Sequence, residues 1–336
     1  MKIGRRAVSA AIATGLLGRR ARAATESLQL RVSYLEGFGF LPNQVARQRG
    51  LIEKHAAALG LPGVTVIWLS LRSAVIATDA LLAGQLDVIC GTITSLLVLR
   101  DKTNGGAKVL AGLGGQLVTL VTRNPAVKTV ADFGPDDRIA VPSVKQGPHS
   151  ILLGIALSKQ LGPEAWNRLD SIQVQMGHND GALAALTPSS PVNSHFSSLP
   201  YLDMELASKN PVVHNVADLL DIVGGPITTL AAYGTTRFVA DNPIKSRAFL
   251  MAIDEANDLI VRDPLGVSRD YIAATGEKFE PAALAEMIGR KGNLYATAPL
   301  RTNVYAAQMV KTGLLRKAPA DWREYHFPLL HDRQGS

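Results

Sequence analysis

The 336-residue sequence has almost no cysteine and lacks the short motifs that mark several common enzyme classes. Cys90 is the single cysteine, which excludes an internal disulfide, so the stability of the fold must depend on packing. The seven histidines are scattered, without the spacing of a zinc site. A nucleophile elbow, a P-loop and a GxGxxG segment after a strand are also missing, which argues against the enzymes that use them.

Basic residues outnumber acidic residues by 35 to 28, but the excess is concentrated at the N-terminus. Residues 1–23 hold six basic residues and no acidic one, which leaves 29 basic and 28 acidic residues in the rest of the chain. No basic run remains there, whereas nucleic-acid binding relies on clustered positive charge. We therefore expect no nucleic-acid partner.

The first 23 residues have the pattern of an export signal. Basic residues precede a short apolar stretch at residues 7–18, and Ala21 and Ala23 place small side chains where a signal peptidase cleaves. The stretch is well short of the about 20 residues that span a bilayer. We predict cleavage before Ala24 and export to the periplasm. The Sec route is favoured over the twin-arginine route, because the residues around Arg5 and Arg6 fit the twin-arginine pattern poorly.

Short apolar runs alternate with helical patterns, as in α/β proteins with largely parallel sheets. One series of such units reaches residue 122, a second begins near residue 139, and a helical region follows residue 233. We predict a discontinuous first domain of residues 24–122 and 225–336, with a second domain of residues 123–224. Two crossings between the domains would form a hinge and leave a ligand cleft at the carboxyl ends of the strands.

Four segments, in the same order along the chain, resemble the solute-binding proteins of ABC importers for nitrate, for sulfonates such as taurine, and for thiamine-pyrimidine precursors. They are GLIEK at residues 50–54, DALLAGQLDV at 79–88, VKTVADF with RIAVP between 127 and 142, and FVADNP at 238–243 with the helix that follows it. One departure is Asn193, which stands where the family commonly has the aspartate of a Gly-x-x-Asp-Ala segment.

The resemblance implies a type II periplasmic-binding-protein fold, with two α/β domains and two hinge crossings. It also implies a receptor that binds a small molecule between the domains and delivers it to a membrane ABC permease. The ligand would be a small anion, sulfonate-like or nitrate-like, or a small aromatic or heterocyclic compound. We expect a monomer that uses no cofactor or metal and catalyses no reaction.

Ligand contacts in such a cleft are expected where strands end and helices begin, because backbone amides and hydroxyl groups are available there. In the first domain the candidates are Phe38, Ser70, Ser73, Thr92, Thr94, Ser95 and Gln116. The run of hydroxyl groups after the third strand is the strongest of these signals. Each candidate also has a plainer interpretation, since aromatic residues pack in cores, hydroxyl groups cap helices and glutamine occupies surface turns.

In the second domain the resemblance implies ligand contacts in the loop of residues 142–150, between a strand and a helix. With the histidines and the asparagine that follow, the candidates are Ser143, Gln146, His149, Ser150, His178, Asn179 and His195. Asn179 has a second interpretation as a helix cap. Tyr201 lies beyond the segment that departs from the family.

Two other classes of function stay open. An enzyme on the same fold, desulfinase-like or pyrimidine-synthase-like, would need a reactive group, and Cys90 is the obvious nucleophile. Its apolar strand favours a buried, inert thiol instead, because reactive cysteines need an accessible, electropositive environment. The other alternative is a protein that presents its ligand to a membrane sensor.

Overall fold

The computed structural model describes residues 28–71 and 74–336. The predicted export signal, its cleavage site and Ser73 lie outside the described residues. Ten strands form the framework: β1 (Gln29–Tyr34), β2 (Thr65–Ser70), β3 (Val88–Thr92), β4 (Ala107–Gly114), β5 (Val118–Thr122), β6 (Ile139–Val141), β7 (Gln173–Gln175), β8 (Ser194–Ser198), β9 (His214–Asp218) and β10 (Leu230–Thr235). They make two five-stranded sheets, with the orders β2-β1-β3-β10-β4 and β7-β6-β8-β5-β9.

Both sheets combine parallel pairs from βα units with antiparallel pairs where the chain passes between the sheets. In the first sheet β1 runs parallel to β2 and β3, while β10 runs antiparallel to β3 and β4. In the second sheet β6 runs parallel to β7 and β8, while β5 runs antiparallel to β8 and β9. The chain passes from the first sheet to the second between β4 and β5, and it returns before β10.

Strand β5 corrects one predicted boundary. The prediction placed residues up to 122 in the first domain, but β5 pairs with β8 and β9 of the second sheet. We therefore move the proposed boundary to the connection at residues 115–117. The division into two domains, with the return near residue 225, remains a proposal.

Thirteen α-helices connect and follow the strands in the described part of the chain: α1 (Leu41–Gln48), α2 (Leu51–Ala58), α3 (Ala74–Leu82), α4 (Ile93–Lys102), α5 (Pro148–Leu161), α6 (His178–Leu186), α7 (Tyr201–Leu206), α8 (Leu219–Val223), α9 (Thr236–Asp241), α10 (Pro243–Arg262), α11 (Pro264–Thr275), α12 (Pro281–Ile288) and α13 (Asn303–Lys311). Short 3₁₀ segments include Phe38–Phe40 and Trp322–Tyr325. Within residues 28–71 and 74–336, no helix is long and apolar enough to cross a membrane.

Helix α10 shows how the sequence pattern becomes packing. Phe249, Ile253, Ala256 and Ile260 recur on one face of the helix, and all four side chains are fully buried. This face packs against α1, α2 and β4, so the helical return covers the first sheet. The helix begins at Pro243, where the missing backbone N–H costs nothing, and ends before a second proline.

Asn193, the departure from the family pattern, has a structural role in this protein. Its side-chain Nδ2 donates to Asp137 Oδ1 at 2.7 Å, and its Oδ1 accepts from the backbone N–H of Arg138 at 3.1 Å. The amide can both donate and accept, which a carboxylate cannot do. Asparagine thus joins the start of β8 to the turn before β6.

Candidate functional site

A cleft of about 710 Å³ lies between the two sheets, at the carboxyl ends of their strands. One wall consists of residues after β1, β2 and β3, and the other of residues after β6, β7 and β8. Ten of the predicted site residues line it: Phe38, Ser70, Thr92, Ser95, Gln116, Ser143, Gln146, His149, His178 and Asn179. The structure thus brings most of the candidates together, and their role as ligand contacts remains a prediction.

The hydroxyl groups after β3 form a small network at the start of α4. Thr92 caps the helix, because its Oγ1 accepts from the backbone N–H of Ser95 at 3.2 Å. The same Oγ1 lies 2.9 Å from Ser95 Oγ and 3.1 Å from Thr94 Oγ1. Thr94 itself is fully buried and is not among the residues that line the cleft. The prediction for Thr94 as a cleft-lining residue is therefore wrong.

The aromatic loop after β1 forms the side of the cleft next to Gln116. Phe38 lines the cleft and packs edge-on against Tyr271, with ring centroids 6.0 Å apart, so it serves both the core and the site. Gly39 permits the close approach of Gln116, since a Cβ at this position would lie 2.8 Å from Gln116 Oε1. The Nε2 of Gln116 is buried without a hydrogen-bond partner among the described residues, which makes it an available donor.

The loop between β6 and α5 forms the opposite wall. Ser143, Gln146 and His149 line the cleft, and Gly147 allows the loop to fold tightly, because a Cβ there would lie 2.6 Å from the carbonyl oxygen of Ser143. Ser150 behaves differently from its neighbours. Its hydroxyl donates to the Ser143 carbonyl oxygen at 2.9 Å and lies 2.6 Å from Gln173 Oε1, so it stabilises the loop without lining the cleft.

His195 lies behind the wall of the cleft, and the structure does not place it or Ser150 among the lining residues. The His195 ring is fully buried on β8, between His178 on one side and Glu205 on the other. Its position follows from the alternation of β8, in which the next residue but two, Ser198, does reach the cleft. Its hydrogen bond to His178 connects it to the cleft.

Four helices begin at the cleft, and two of them have no side-chain cap. Helices α3, α4, α5 and α6 all start with residues that line it. No side chain caps α5 or α6, because Gly147 and Gly177 occupy their N-cap positions. Uncapped N-termini offer unpaired donors and a partial positive charge to a ligand. No lysine or arginine among the described residues lines the cleft, and Glu36, an exposed residue, is the one carboxylate that does.

The two histidines on the cleft wall are neutral at ordinary pH. Burial, with a smaller contribution from His195, lowers the pKa of His149 to about 3. Burial likewise lowers the pKa of His178 well below its usual range, helped by repulsion from His149 and His195. Neutral imidazoles donate through one nitrogen and accept through the other, so these side chains provide directional hydrogen bonds without a full charge.

Several lining residues were not among the candidates. Ser198, Thr229 and Tyr233 contribute polar groups, and Cys90 contributes to the floor. Tyr233 lies on β10, the returning strand, and a Cβ at Gly91 would lie 3.1 Å from its hydroxyl. No local signal marks these residues, because their place in the cleft depends on which strands become neighbours in the sheets.

Helix α7 connects the two parts of the molecule next to the cleft. Tyr201 lines the cleft, and its hydroxyl donates to Glu277 Oε1 at 3.4 Å. Arg290, which follows α12, forms a two-pronged ion pair with Asp203, with Nη2 2.7 Å from Oδ2. Hydrogen bonding to Asp203 raises the pKa of Arg290 above its usual value. These contacts join the second sheet's layer to the helical return.

Comparisons with known proteins relate this arrangement to solved structures. No protein-family model matches the sequence, and no curated protein sequence matches it. The chain is similar to the periplasmic aliphatic sulphonate binding protein SsuA from Escherichia coli, with 17% identity, coverage of 89% of this chain and 92% of that chain, and a TM-score of 0.67. It is also similar to the alkanesulfonate-binding protein SsuA from Xanthomonas axonopodis pv. citri, bound to MOPS, with 17% identity, coverage of 87% and 94%, and a TM-score of 0.63.

A third similar structure is the periplasmic nitrate-binding protein NrtA from Synechocystis PCC 6803, with 15% identity, coverage of 88% of this chain and 84% of that chain, and a TM-score of 0.62. These likenesses extend over most of every chain compared. They confirm the predicted α/β fold, which is that of two-domain periplasmic binding proteins.

Proposed function

We propose that this protein is the periplasmic solute-binding component of an ABC importer. The observation that supports this most directly is the cleft itself, whose two walls come from different sheets and both carry helix N-termini. A small molecule that contacts both walls favours the closed arrangement by its differential affinity. A membrane permease would recognise that closed form. Sulfonate-binding and nitrate-binding proteins are among the solved structures that this chain resembles.

For the ligand we propose an organic molecule with an apolar body and at least one hydrogen-bond acceptor, such as a sulfonate, carboxylate or carbonyl oxygen. The volume of about 710 Å³ falls within the roughly 300–1,000 Å³ of sites for organic ligands. A nitrate ion would leave most of this volume to water. Aromatic and aliphatic residues such as Phe38, Phe40 and Leu230 line much of the cleft, while the helix N-termini supply donors.

The position of Cys90 supports a receptor over an enzyme. Cys90 is among the residues that line the cleft, yet it is only 1% exposed. Burial raises the pKa of the Cys90 thiol, and the nucleophile in cysteine chemistry is the thiolate. Among the described residues, no group of three or more histidine, cysteine or acidic side chains is arranged to hold a metal ion.

A thermal-shift screen of the purified protein tests the proposal, with nitrate, taurine, benzenesulfonate, benzoate and uracil as the compounds. We expect an organic acceptor compound to raise the melting temperature, since a ligand that binds only the folded state stabilises it. Calorimetry would then compare Ser95→Ala and Ser143→Ala, one from each wall. Each should weaken binding by about 0.5–1.5 kcal/mol, the contribution of one neutral hydrogen bond.

Ser208→Ala is the matched control, because this serine donates to the Pro211 carbonyl oxygen away from the cleft. It should bind like the unmodified protein. Failure of all compounds to stabilise the protein, or turnover of a sulfinate by it, would overturn the receptor proposal. Equal binding by Ser95→Ala, Ser143→Ala and the control would place the ligand elsewhere.

A further inference from the structure

Three side chains behind the cleft wall form a continuous hydrogen-bonded chain that ends at the ligand site. Glu205 Oε1 on α7 lies 2.9 Å from His195 Nδ1 on β8. His195 Nε2 lies 3.1 Å from Nδ1 of His178, the first residue of α6. His178 lines the cleft, and because its Nδ1 is engaged by His195, Nε2 is the nitrogen left for a ligand.

The packing around this chain holds it in one geometry. Glu205 and His195 are fully buried, and the second carboxyl oxygen of Glu205 has no partner among the described residues. Gly181 makes room for the imidazole, because a Cβ at this position would lie 2.9 Å from both Cδ2 and Nε2 of His195. A larger residue at position 181 would push His195 out of line with His178.

The number of protons in the chain decides what His178 offers to the cleft. With Glu205 ionised and His195 neutral, His195 donates to Glu205 through Nδ1, so its Nε2 must accept from His178 Nδ1–H. His178 Nε2 then carries a lone pair and is an acceptor. One additional proton, shared by Glu205 and His195, makes His195 Nε2–H the donor to His178 Nδ1. His178 Nε2 then carries the hydrogen and is a donor.

Burial favours the state with the additional proton. That state is neutral overall, either as an ion pair or as two neutral groups, whereas the other state leaves one uncompensated negative charge in the interior. Among the described residues, no lysine or arginine donates a hydrogen bond to either carboxyl oxygen of Glu205. The low pKa of His178 agrees with a neutral ring whose tautomer is set by its neighbour.

We propose that Glu205 and His195 retain a proton that makes His178 a hydrogen-bond donor to the ligand, so that the cleft selects an acceptor atom at this point and binds it less tightly as the pH rises. The inference rests on the proposed ligand-binding function and adds a chemical requirement to it. His178 acts on the ligand directly, while His195 and Glu205 act as positioning residues.

Other titratable groups face His178 from the surrounding elements. His149 approaches from the start of α5, with ring centroids 5.0 Å apart, and Tyr201 comes from α7 along with Glu205. Its own helix contributes Asp180, and β6 contributes only apolar residues. Since the pKa of His149 lies at about 3, that ring stays neutral over the range in which the proposal is tested.

Nitrogen-15 NMR of histidine-labelled protein measures the tautomer directly and needs no ligand. We expect His178 to be neutral with its hydrogen on Nε2 while the pair holds the additional proton, and we expect the hydrogen to move to Nδ1 when a rise in pH removes that proton. In Glu205→Gln the pH-dependent change should disappear, because no carboxylate remains to hold the proton. Glu164→Gln, at an exposed site near α5, should leave the change as it is.

A His178 with hydrogen on Nδ1 throughout, or one that simply becomes cationic, would overturn the proposal. A pH-dependent change of tautomer that persists in Glu205→Gln would also overturn it. Should that variant fail to fold, Gly181→Ala provides the second test. Displacement of His195 would remove the hydrogen bond that fixes His178, so both tautomers of His178 should then be populated. Either outcome is read from the spectrum whether or not any compound binds.

Two matched probes then separate this inference from the proposed function. Acetophenone has a carbonyl oxygen where α-methylstyrene has a methylene group, and the two are otherwise alike. We expect acetophenone to bind roughly 3- to 10-fold more tightly, the range for one neutral hydrogen bond, with the difference lost at high pH. Equal affinities would refute acceptor selection by His178. If neither probe nor any screened compound binds, the proposed function fails, while the tautomer result stands by itself.

Discussion

Replacing Arg290 by alanine should loosen the connection between the helical return, which covers the first sheet, and helix α7, which packs on the second sheet beside the cleft. Arg290 and Asp203 form a two-pronged pair between the segment after α12 and helix α7. The side chains keep 35% and 29% of their exposure, so water and salt screen the pair. Such a pair contributes about 0.2–1 kcal/mol, which corresponds to roughly a 1.4- to 5-fold change in the ratio of closed to open molecules.

Small-angle scattering of the ligand-free protein, with distance measurements between spin labels on the two parts, would detect this change. We expect Arg290→Ala and Asp203→Ala to shift the population toward open molecules, and the double variant to add little to either single change. Ligand affinity should fall by the same factor, because only the closed fraction is competent to hold the ligand from both sides. High salt should reduce all of these differences.

Arg262→Ala is the matched control, because Arg262 pairs with Asp258 four residues earlier on α10 and joins no separate parts. It should leave both the distances and the affinity unchanged. The reasoning is refuted if Arg290→Ala behaves like this control. It is also refuted if the effects of the two single variants add in full, since two side chains that act only through each other cannot contribute twice.

Three further predictions concern the interior. Gly181→Ala should cost about 1–3 kcal/mol in the free energy of unfolding, measured with denaturant, because the new Cβ meets the buried His195 ring. Cys90 should resist thiol reagents until the protein unfolds, and Cys90→Ser should not change ligand affinity in the folded protein. Stability should fall as the pH drops from about 6.5 toward 3, because His149 and His326, each with a pKa lowered by burial to about 3, stay neutral in the folded state and take up protons when unfolded. His326→Gln should make this fall shallower by up to about 1.4 kcal/mol per pH unit.

Much of the framework could be predicted from the sequence, because its signals are local. The alternation of apolar runs and helical patterns placed the start of the second series at residue 139, where β6 begins, and the helical region after residue 233, where α9 to α13 lie. Strand β9 was not predicted, because its sequence HNVAD is polar at both ends. The segment forms a strand through its pairing with β5. Helix α2 was seen only as a family element at residues 50–54, although GLIEK opens it.

The site residues likewise fall into those that a local sequence signal predicts and those that depend on tertiary packing. Loops at the carboxyl ends of strands could be found from the order of elements, and so Thr92, Ser143 and His178 reach the cleft as expected. The direction of a side chain within a first helical turn depends on packing, which is why Thr94 and Ser150 were misplaced. The contact from Glu205 through His195 depends on how α7 folds back over β8, and nothing in the spacing of the two residues marks it.

The two walls of the cleft differ in how firmly they fix the direction of their hydrogen bonds. On one side, Thr92 and Ser95 satisfy each other, and a hydroxyl group can rotate to donate or to accept without moving a heavy atom. On the other side, His178 is held by His195 and cannot exchange its roles unless a proton enters or leaves the interior. The hydroxyl wall therefore tolerates either polarity in a ligand, while the histidine wall discriminates. It follows that a ligand would be oriented with its acceptor toward α6, and its remaining groups would be free to vary on the side of α4.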